Sequence, residues 1–231
     1  MSIGERLLRS SADIDSPWIV AVACFAGDIA APVELMSALP ADCGLAFIFV
    51  EQWSAAGGAS LLAEALMKST TLPVLRADDG CLVEHGRVYL VARNVALTMT
   101  RGRIHATPAT GEIDCLADNL FISLAQEYAD KAIGVILSGG GSDRALGIRA
   151  IKQAGGTTFA QYPGSARFPN LPISAIDTGC VDFVLRPNEI AHELTCISRH
   201  EGQSPRGAIK HTQFTRPDRI LARPAPVVGL A

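Results

Sequence analysis

Residues 133–156, IGVILSGGGSDRALGIRAIKQAGG, decide the fold of this chain. The stretch opens with an apolar run of strand length, 133–137, and passes through three glycines into apolar residues at helical spacing, which end at Gly155-Gly156. Residues 157–161 have the composition of a further strand. A strand, a glycine-rich turn, a helix and a strand make a βαβ unit, whose right-handed crossover places the two strands side by side and parallel.

The glycine-rich turn matches neither common phosphate-binding motif. Arg144 occupies the position where a dinucleotide fingerprint needs its third glycine, and no Lys-Ser/Thr pair follows the last glycine as in a P-loop. Two interpretations of the next residues stay open. Ser142 and Asp143 could cap the helix and favour the positive end of its dipole. Alternatively, Asp143 is an orienting carboxylate at the carboxyl end of a central strand, where open α/β sheets hold their sites.

Upstream of this unit the chain repeats the same alternation. Continuous apolar runs at 18–24 and 45–50 are typical of strands buried on both faces. Between them Asp28 can cap a helix that reaches about residue 38. A helix at 61–68 and a short strand beginning at 73 complete a βαβαβ order.

The pattern changes between residues 88 and 105. Short apolar runs with a tight turn at Arg101-Gly102 predict an antiparallel hairpin attached to the main sheet. The remaining predicted elements are a helix at 118–131, a helix at 171–178, a strand at 182–185 and a helix at 187–200. The expected fold is therefore α/β, with a doubly wound, mainly parallel sheet and an antiparallel β-hairpin.

The chain has 231 residues, enough for one large α/β domain and a tail. We expect an N-terminal lead-in at 1–16, a domain at 17–200 and a basic, proline-containing tail at 201–231 that is flexible. The tail carries five basic residues among its prolines: Arg206, Lys210, Arg216, Arg219 and Arg223.

Composition limits the classes of function. The net charge of −3 and the scattered cations of the first 200 residues give no case for nucleic-acid binding. No apolar run reaches the length of a membrane span, and the N-terminus lacks a signal-peptide core, so we expect a cytoplasmic protein without membrane insertion. The six cysteines form no CxxC pair and no metal-ligand spacing, so we expect reduced packing residues, no metal and no cofactor.

Four stretches together resemble one family: AIGVILSGGGSDRALGIRAIKQAGGTTFAQ, LPADCGLAFIFVEQW, LPV with ADDGCLVEHGRVYLV, and PGSARFPNLPISAIDTGCVDFVL. They occur in the order found in the catalytic domain of the chemotaxis protein-glutamate methylesterases, the CheB type, and the similarity runs from about 17 to 199. The resemblance implies a doubly wound α/β domain. It also implies removal of methyl groups from glutamyl methyl esters of chemoreceptors by a Ser-His-Asp triad. We expect a chain without the receiver domain that regulates many members.

The resemblance also assigns the triad positions, and two of them are changed. Phe25 stands at the serine position and Gln52 at the histidine position, whereas Asp143 matches the aspartate. The backbones of Ala26 and Gly140 match the oxyanion-hole positions. Phenylalanine has no nucleophile, and glutamine cannot accept a proton at neutral pH.

Further departures surround these positions. Arg144 replaces a glycine, and Ile173 replaces the arginine of a Met-Pro-Arg-like run. Trp53, Ser142 and Arg144 are expected to line the cleft with the degenerate triad. We therefore expect a catalytically inactive binding or regulatory protein of chemotaxis-type signal transduction, with a chemoreceptor or a regulator as its protein partner.

Two hypotheses in which the chain is an enzyme remain open beside the hypothesis of an inactive binding protein. The first is an active esterase with an unrecognised nucleophile, and the second is an active methylesterase whose alignment near Phe25 is misplaced. Cys24 is expected to face the core, because adjacent strand residues point to opposite faces. Ser142 has no evident base beside it. The histidines are expected to be structural or solvated: His85, His105, His192 and His200.

Overall fold

The protein is described by a computed structural model that covers residues 18–25, 27–52, 61–91, 95–109, 116–140 and 146–199. The strands are β1 (Ile19–Phe25), β2 (Ala46–Gln52), β3 (Val74–Arg76), β4 (Arg87–Leu90), β5 (Val95–Thr100), β6 (Arg103–Pro108), β7 (Ala132–Ile136), β8 (Thr157–Gln161) and β9 (Phe183–Leu185). The helices are α1 (Ala30–Ser37), α2 (Leu62–Ser69), α3 (Leu116–Tyr128), α4 (Leu146–Gln153), α5 (Asn170–Asp177) and α6 (Pro187–Arg199).

The main sheet has the strand order β3-β4-β2-β1-β7-β8-β9, and its neighbouring strands pair in parallel. The four strands predicted to share one parallel sheet are the adjacent members β2, β1, β7 and β8, which confirms that prediction. The order reverses at β1, because the chain moves outward from β1 through β2 and later returns to its other side with β7. Open α/β sheets hold their sites at such a point.

Helices cover both faces of the sheet, so alternate residues of β1 belong to two separate cores. Ala21 and Ala23 pack on the face covered by α3 and α4. Val22 and Cys24 pack on the face covered by α1, α2 and α6. The sheet is doubly wound as predicted, and Cys24 faces the core as predicted.

The hairpin differs from the prediction in one respect. Strands β5 and β6 pair in antiparallel fashion around Arg101 and Gly102, whose φ angles are 53° and 73°. They form a two-stranded sheet of their own, and β4 joins the main sheet as a parallel strand instead. The reason is a one-sided apolar pattern: the hairpin buries Leu97 and Ile104 on the α3 side and leaves its other face exposed.

Several element boundaries also shift slightly. Helix α1 begins at Ala30 with Ile29 as its N-cap, one residue after the predicted cap Asp28, and the N–H of Ala30 donates to Asp28 Oδ1 over 3.1 Å. Asp28 therefore still serves the first turn of α1, although it lies outside the helix. Helix α4 is followed by Gly155 with a φ of 91°, the left-handed geometry expected of a glycine after a helix.

Candidate functional site

Strands β1 and β2 end at the same edge of the sheet, and their register brings Phe25 beside Gln52. The two residues are Cα partners at the ends of the parallel strands. They are 27 positions apart in the chain, so the pairing is a product of the fold. The two positions therefore lie side by side at the carboxyl edge of the sheet. Open α/β sheets hold their sites at this edge.

Strand β7 lies on the other side of β1 and leads into the glycine run. Ala23 pairs with Ile136, and the N–H of Leu137 then donates to the carbonyl of Ala23 over 2.9 Å. Gly140 follows as an exposed residue, and a Cβ added there would meet nothing within 4 Å. The chain after β7 thus starts beside the end of β1.

The other predicted site residues lie outside the described residues: Ala26, Trp53, Ser142, Asp143 and Arg144. The proximity of Asp143 to Phe25 and Gln52 therefore stays a prediction. Its strand, β7, is adjacent to β1, as that prediction requires.

A buried hydrogen-bond network forms one side of the candidate site. The N–H of Ser138 donates to Gln161 Oε1 over 2.8 Å, and the N–H of Phe168 donates to Ser138 Oγ over 3.0 Å. Gln161 Nε2 in turn donates to Ser165 Oγ over 3.2 Å. Both Ser138 and Gln161 are buried, so these bonds satisfy polar groups that water does not reach. They join the end of β7 to the loop after β8.

Gly139 extends this connection through its backbone. Its N–H donates to the carbonyl of Phe168 over 2.8 Å, and its carbonyl accepts from the N–H of Leu171 over 3.0 Å. A Cβ at Gly139 would lie 2.6 Å from Leu171 Cδ2 and 2.9 Å from Leu171 Cβ, closer than real contacts allow. Glycine is needed here because the side chain of Leu171 packs so closely against it.

The thiol of Cys24, one residue before Phe25, packs in the core on the face of the sheet covered by α1, α2 and α6. Burial raises the pKa of Cys24 well above its ordinary value, and the nearby carboxylates of Glu51 and Asp28 raise it further. Glu51 is the strand partner of Cys24. Since the thiolate is the reactive form, Cys24 is chemically inert at neutral pH.

The comparisons with known proteins agree with this geometry. A family profile described as CheB methylesterase matches residues 20–194, most of the chain. The chain belongs to the CheB methylesterase family. A crystal structure of the Thermotoga maritima CheB methylesterase catalytic domain is similar with a TM-score of 0.71 and 26% identity, covering 79% of this chain and 99% of that one.

Curated relatives carry the name protein-glutamate methylesterase/protein-glutamine glutaminase. One from Cupriavidus metallidurans is 35% identical over 188 residues, which are 78% of this chain and 55% of the relative. One from Moorella thermoacetica is 30% identical over 186 residues, which are 78% of this chain and 44% of the relative. The chain thus spans about half the length of these CheB relatives.

Three further histidines of this CheB-family chain lie away from the carboxyl ends of β1 and β2. His85 Nδ1 lies 2.9 Å from the carbonyl of Gly44, and His105 lies on the exposed face of β6. His192 is exposed on α6. None of these three lies in the loop directly after β1, β2 or β7. His200 lies outside the described residues.

Sequence reasoning missed Arg167, which reaches the candidate site from the loop after β8. Its Nη1 donates to the carbonyl of Gly27 over 3.1 Å, across 140 positions of sequence. Its guanidinium carbon lies 5.3 Å from the centre of the Phe168 ring. The available signal was weak: a basic residue in a loop at the carboxyl end of a strand. Only the sheet order shows that this loop meets the β1–α1 turn.

Two further findings concern metals and membranes. In residues 18–199, apart from the gaps given above, no group of three or more His, Cys, Asp or Glu side chains is arranged to hold a metal ion. No helix of that same part of the chain is long and apolar enough to cross a membrane.

Proposed function

We propose that this chain is a degenerate CheB methylesterase domain that binds a protein partner and does not hydrolyse esters. The observation that carries the proposal is the register of β1 and β2, in which Phe25 and Gln52 are partners at the carboxyl edge. If these are the serine and histidine positions, the nucleophile and its base have been lost together. The sheet that carries these positions has the fold of a CheB methylesterase catalytic domain.

The chemistry of a Ser-His-Asp triad explains why this loss would abolish turnover. Serine attacks the ester carbonyl while histidine takes its proton, and the aspartate holds the histidine in the required tautomer. Phe25 offers no atom that can attack, and Gln52 cannot take up a proton at neutral pH. Loss of the serine or histidine of such a triad typically costs about a millionfold in kcat. Backbone donors at Ala26 and Gly140 would retain roughly a thousandfold effect over water.

Cys24 is a poor substitute for the missing nucleophile. It is adjacent to Phe25, but it packs in the core on the other face of the sheet. Its raised pKa keeps the thiol protonated at neutral pH. We therefore do not propose Cys24 as a replacement for the serine nucleophile of the family.

One contact favours a second candidate function, a hydrolase with a different nucleophile. Cys196 Sγ lies 3.8 Å from His192 Nε2 on α6, and a thiol beside an imidazole is the arrangement that activates cysteine nucleophiles. Of this pair, His192 lines a surface depression, together with Leu185, Asn188, Glu189 and Glu193. However, Cys196 is nine residues beyond Pro187, about 13 Å along the helix and away from the carboxyl edge of the sheet.

The proposed partner is a protein of a chemotaxis-type signalling system, either a chemoreceptor or a regulator. The names of the curated relatives describe action on glutamate and glutamine residues of proteins, so a protein segment is the natural occupant of a retained cleft. We further propose a cytoplasmic protein with a domain at 17–200. The proposed binding site is the cleft around Phe25, Gln52, Trp53 and Asp143.

Methanol release from a peptide that contains a glutamyl γ-methyl ester tests the proposal. We expect no release above the spontaneous rate, with a curated relative such as the Moorella thermoacetica enzyme as the positive control. Release that is abolished by Asp143→Ala would overturn the proposal in favour of a triad-like enzyme. Release that is abolished by Cys196→Ala instead would establish the second candidate. Restoring Phe25→Ser with Gln52→His need not revive turnover, since Ala23, Asp28 and Arg144 also differ from the family pattern.

A further inference from the structure

Arg167 is an exposed cation whose position is fixed by two contacts. Its Nη1 donates to the Gly27 carbonyl over 3.1 Å, and its guanidinium carbon lies 5.3 Å from the centre of the Phe168 ring. A hydrogen bond and an aromatic face together orient a guanidinium plane, whereas a typical surface arginine samples many rotamers. The side chain is therefore preorganised for a ligand.

The loop that carries Arg167 is itself held in place. Phe168, the next residue, donates its N–H to Ser138 Oγ over 3.0 Å and accepts from the N–H of Gly139 over 2.8 Å. Both bonds lead to the segment directly after the central strand β7. A ligand that meets Arg167 thus meets a group on a rigid support, which lowers the entropic cost of binding.

The position of this cation is next to the proposed site. Gly27 lies two residues after Phe25, in the turn between β1 and α1. Ile173, where the family resemblance leads one to expect an arginine, is apolar and 40% exposed. In this chain the guanidinium next to the proposed site belongs to Arg167, in the loop after β8.

The bonding capacity of Arg167 suits a carboxylate. A guanidinium has five N–H donors in a planar fork, and one of them serves Gly27 in the described part of the chain. Two parallel donors of such a fork bind the two oxygens of one carboxylate. The nearest acidic groups of the β1 and β2 ends, Asp28 and Glu51, are buried, and Asp28 already accepts from the N–H of Ala30. They weaken long-range attraction of an anion but do not occupy the fork.

We infer that Arg167 binds the carboxylate of a glutamyl side chain, so that the domain prefers glutamate in a protein segment over its methyl ester or glutamine. This rests on the proposed binding function. Methyl ester hydrolysis and amide hydrolysis, the two reactions named for the curated relatives, both yield a protein glutamate. A domain that has no nucleophile but holds the Arg167 cation next to its site is suited to bind the charged glutamate. It is not suited to prefer the neutral methyl ester or glutamine.

The test uses the full chain, labelled with ¹⁵N, in NMR titrations with three synthetic capped peptides. The peptides have uncharged flanks and differ only at one central residue: glutamate, its γ-methyl ester or glutamine. We expect the glutamate peptide to bind about fivefold more tightly than the other two at low salt, with the difference reduced at high salt.

Variants separate recognition from a structural role of Arg167. Arg167→Gln should abolish the preference by lowering affinity for the glutamate peptide, and Arg167→Lys should restore it in part, because lysine has charge without the fork. Arg199→Gln, which removes an exposed cation at the end of α6, is the matched control and should keep the preference. Equal affinities for the three peptides, or a preference that survives Arg167→Gln, would overturn the role of Arg167 and leave the binding function intact. No binding of any peptide to the unmodified chain would overturn both.

Discussion

The two sides of the sheet's carboxyl edge differ in what holds them together. On the β7–β8 side, Ser138 and Gly139 are bonded to the loop after β8 by their own backbones and by buried side chains. On the β1–β2 side, the described link between Phe25 and Gln52 is the backbone register of two parallel strands.

If Phe25 and Gln52 stand in place of catalytic residues, as we propose, this difference explains how the domain keeps its fold. Bonds between backbone groups form with almost any side chain, so changes at Phe25 and Gln52 leave the register of β1 and β2 intact. Ser138, Gly139 and Gln161, in contrast, are tied to specific neighbours. We therefore expect substitutions on the β7–β8 side to cost stability and substitutions at the β1–β2 ends to change chemistry alone.

The largest effect is expected from Gly139→Val. A Cβ at this position would lie 2.6 Å from Leu171 Cδ2 and 2.9 Å from Leu171 Cβ, so the loop must move to admit a larger side chain. We expect a loss of about 3 kcal/mol in the free energy of unfolding, the upper end of the usual cost of overpacking. Urea denaturation followed by circular dichroism measures it.

Gly140→Ala is the matched control for that experiment. A Cβ at Gly140 would meet nothing within 4 Å, so its free energy of unfolding should stay within about 0.5 kcal/mol of the unmodified chain. If both variants cost the same, the close approach of Gly139 and Leu171 does not limit stability, and the contrast between the two sides of the edge fails.

Gln161→Leu should have the second largest effect. The substitution keeps the approximate volume but removes the acceptor of the buried Ser138 N–H and the donor to Ser165 Oγ. A buried donor without a partner costs about 1–3 kcal/mol, and we expect about 2 kcal/mol here. Thermal and urea denaturation should agree on this loss.

Gln161→Glu sharpens the interpretation of that result. Its carboxylate can still accept from the Ser138 N–H, so it should recover part of the loss at neutral pH if the acceptor is what matters. Equal losses for both variants would instead indicate that packing of the amide dominates.

Much of the fold was predictable because its signals are local. The apolar run at 133–137, the glycines after it and the helical spacing that follows predicted the central βαβ unit. The hairpin was predicted, but its attachment to the main sheet was wrong. Attachment depends on whether an edge strand finds a partner or packs on a helix, and the alternation of residues 95–108 does not distinguish these outcomes.

The site was predictable only in part. The positions Phe25 and Gln52 follow from resemblance and from the rule that strand ends share an edge, and the register brings them together. Arg167 was missed because its contact with Gly27 joins loops 140 positions apart. No spacing or periodicity encodes such a contact; it arises from strand order, which places the loop after β8 near the turn after β1.

The smallest effect concerns the buried thiol of Cys24, which should make stability depend on pH. Burial raises the pKa of Cys24 well above its ordinary value, with Glu51 and Asp28 adding to the shift. In the unfolded chain the thiol ionises at about pH 8.5. Its contribution is therefore fully present below that pH and is lost as the pH rises toward the folded-state pKa, because ionisation then favours the unfolded chain.

Cys24→Ala should remove that contribution and flatten the dependence of unfolding free energy on pH. Between pH 7 and about pH 9.5 the free energy of unfolding of the unmodified chain should fall more steeply than that of the variant, because the thiol ionises first in the unfolded chain. The variant loses some packing energy at every pH, so the slope and not the absolute stability is the diagnostic quantity. Cys81→Ala is the control, because Cys81 is only partly buried and its pKa is raised less. An unchanged slope in Cys24→Ala would mean that the thiol ionises within the fold, and the case against Cys24 as a nucleophile would then be lost.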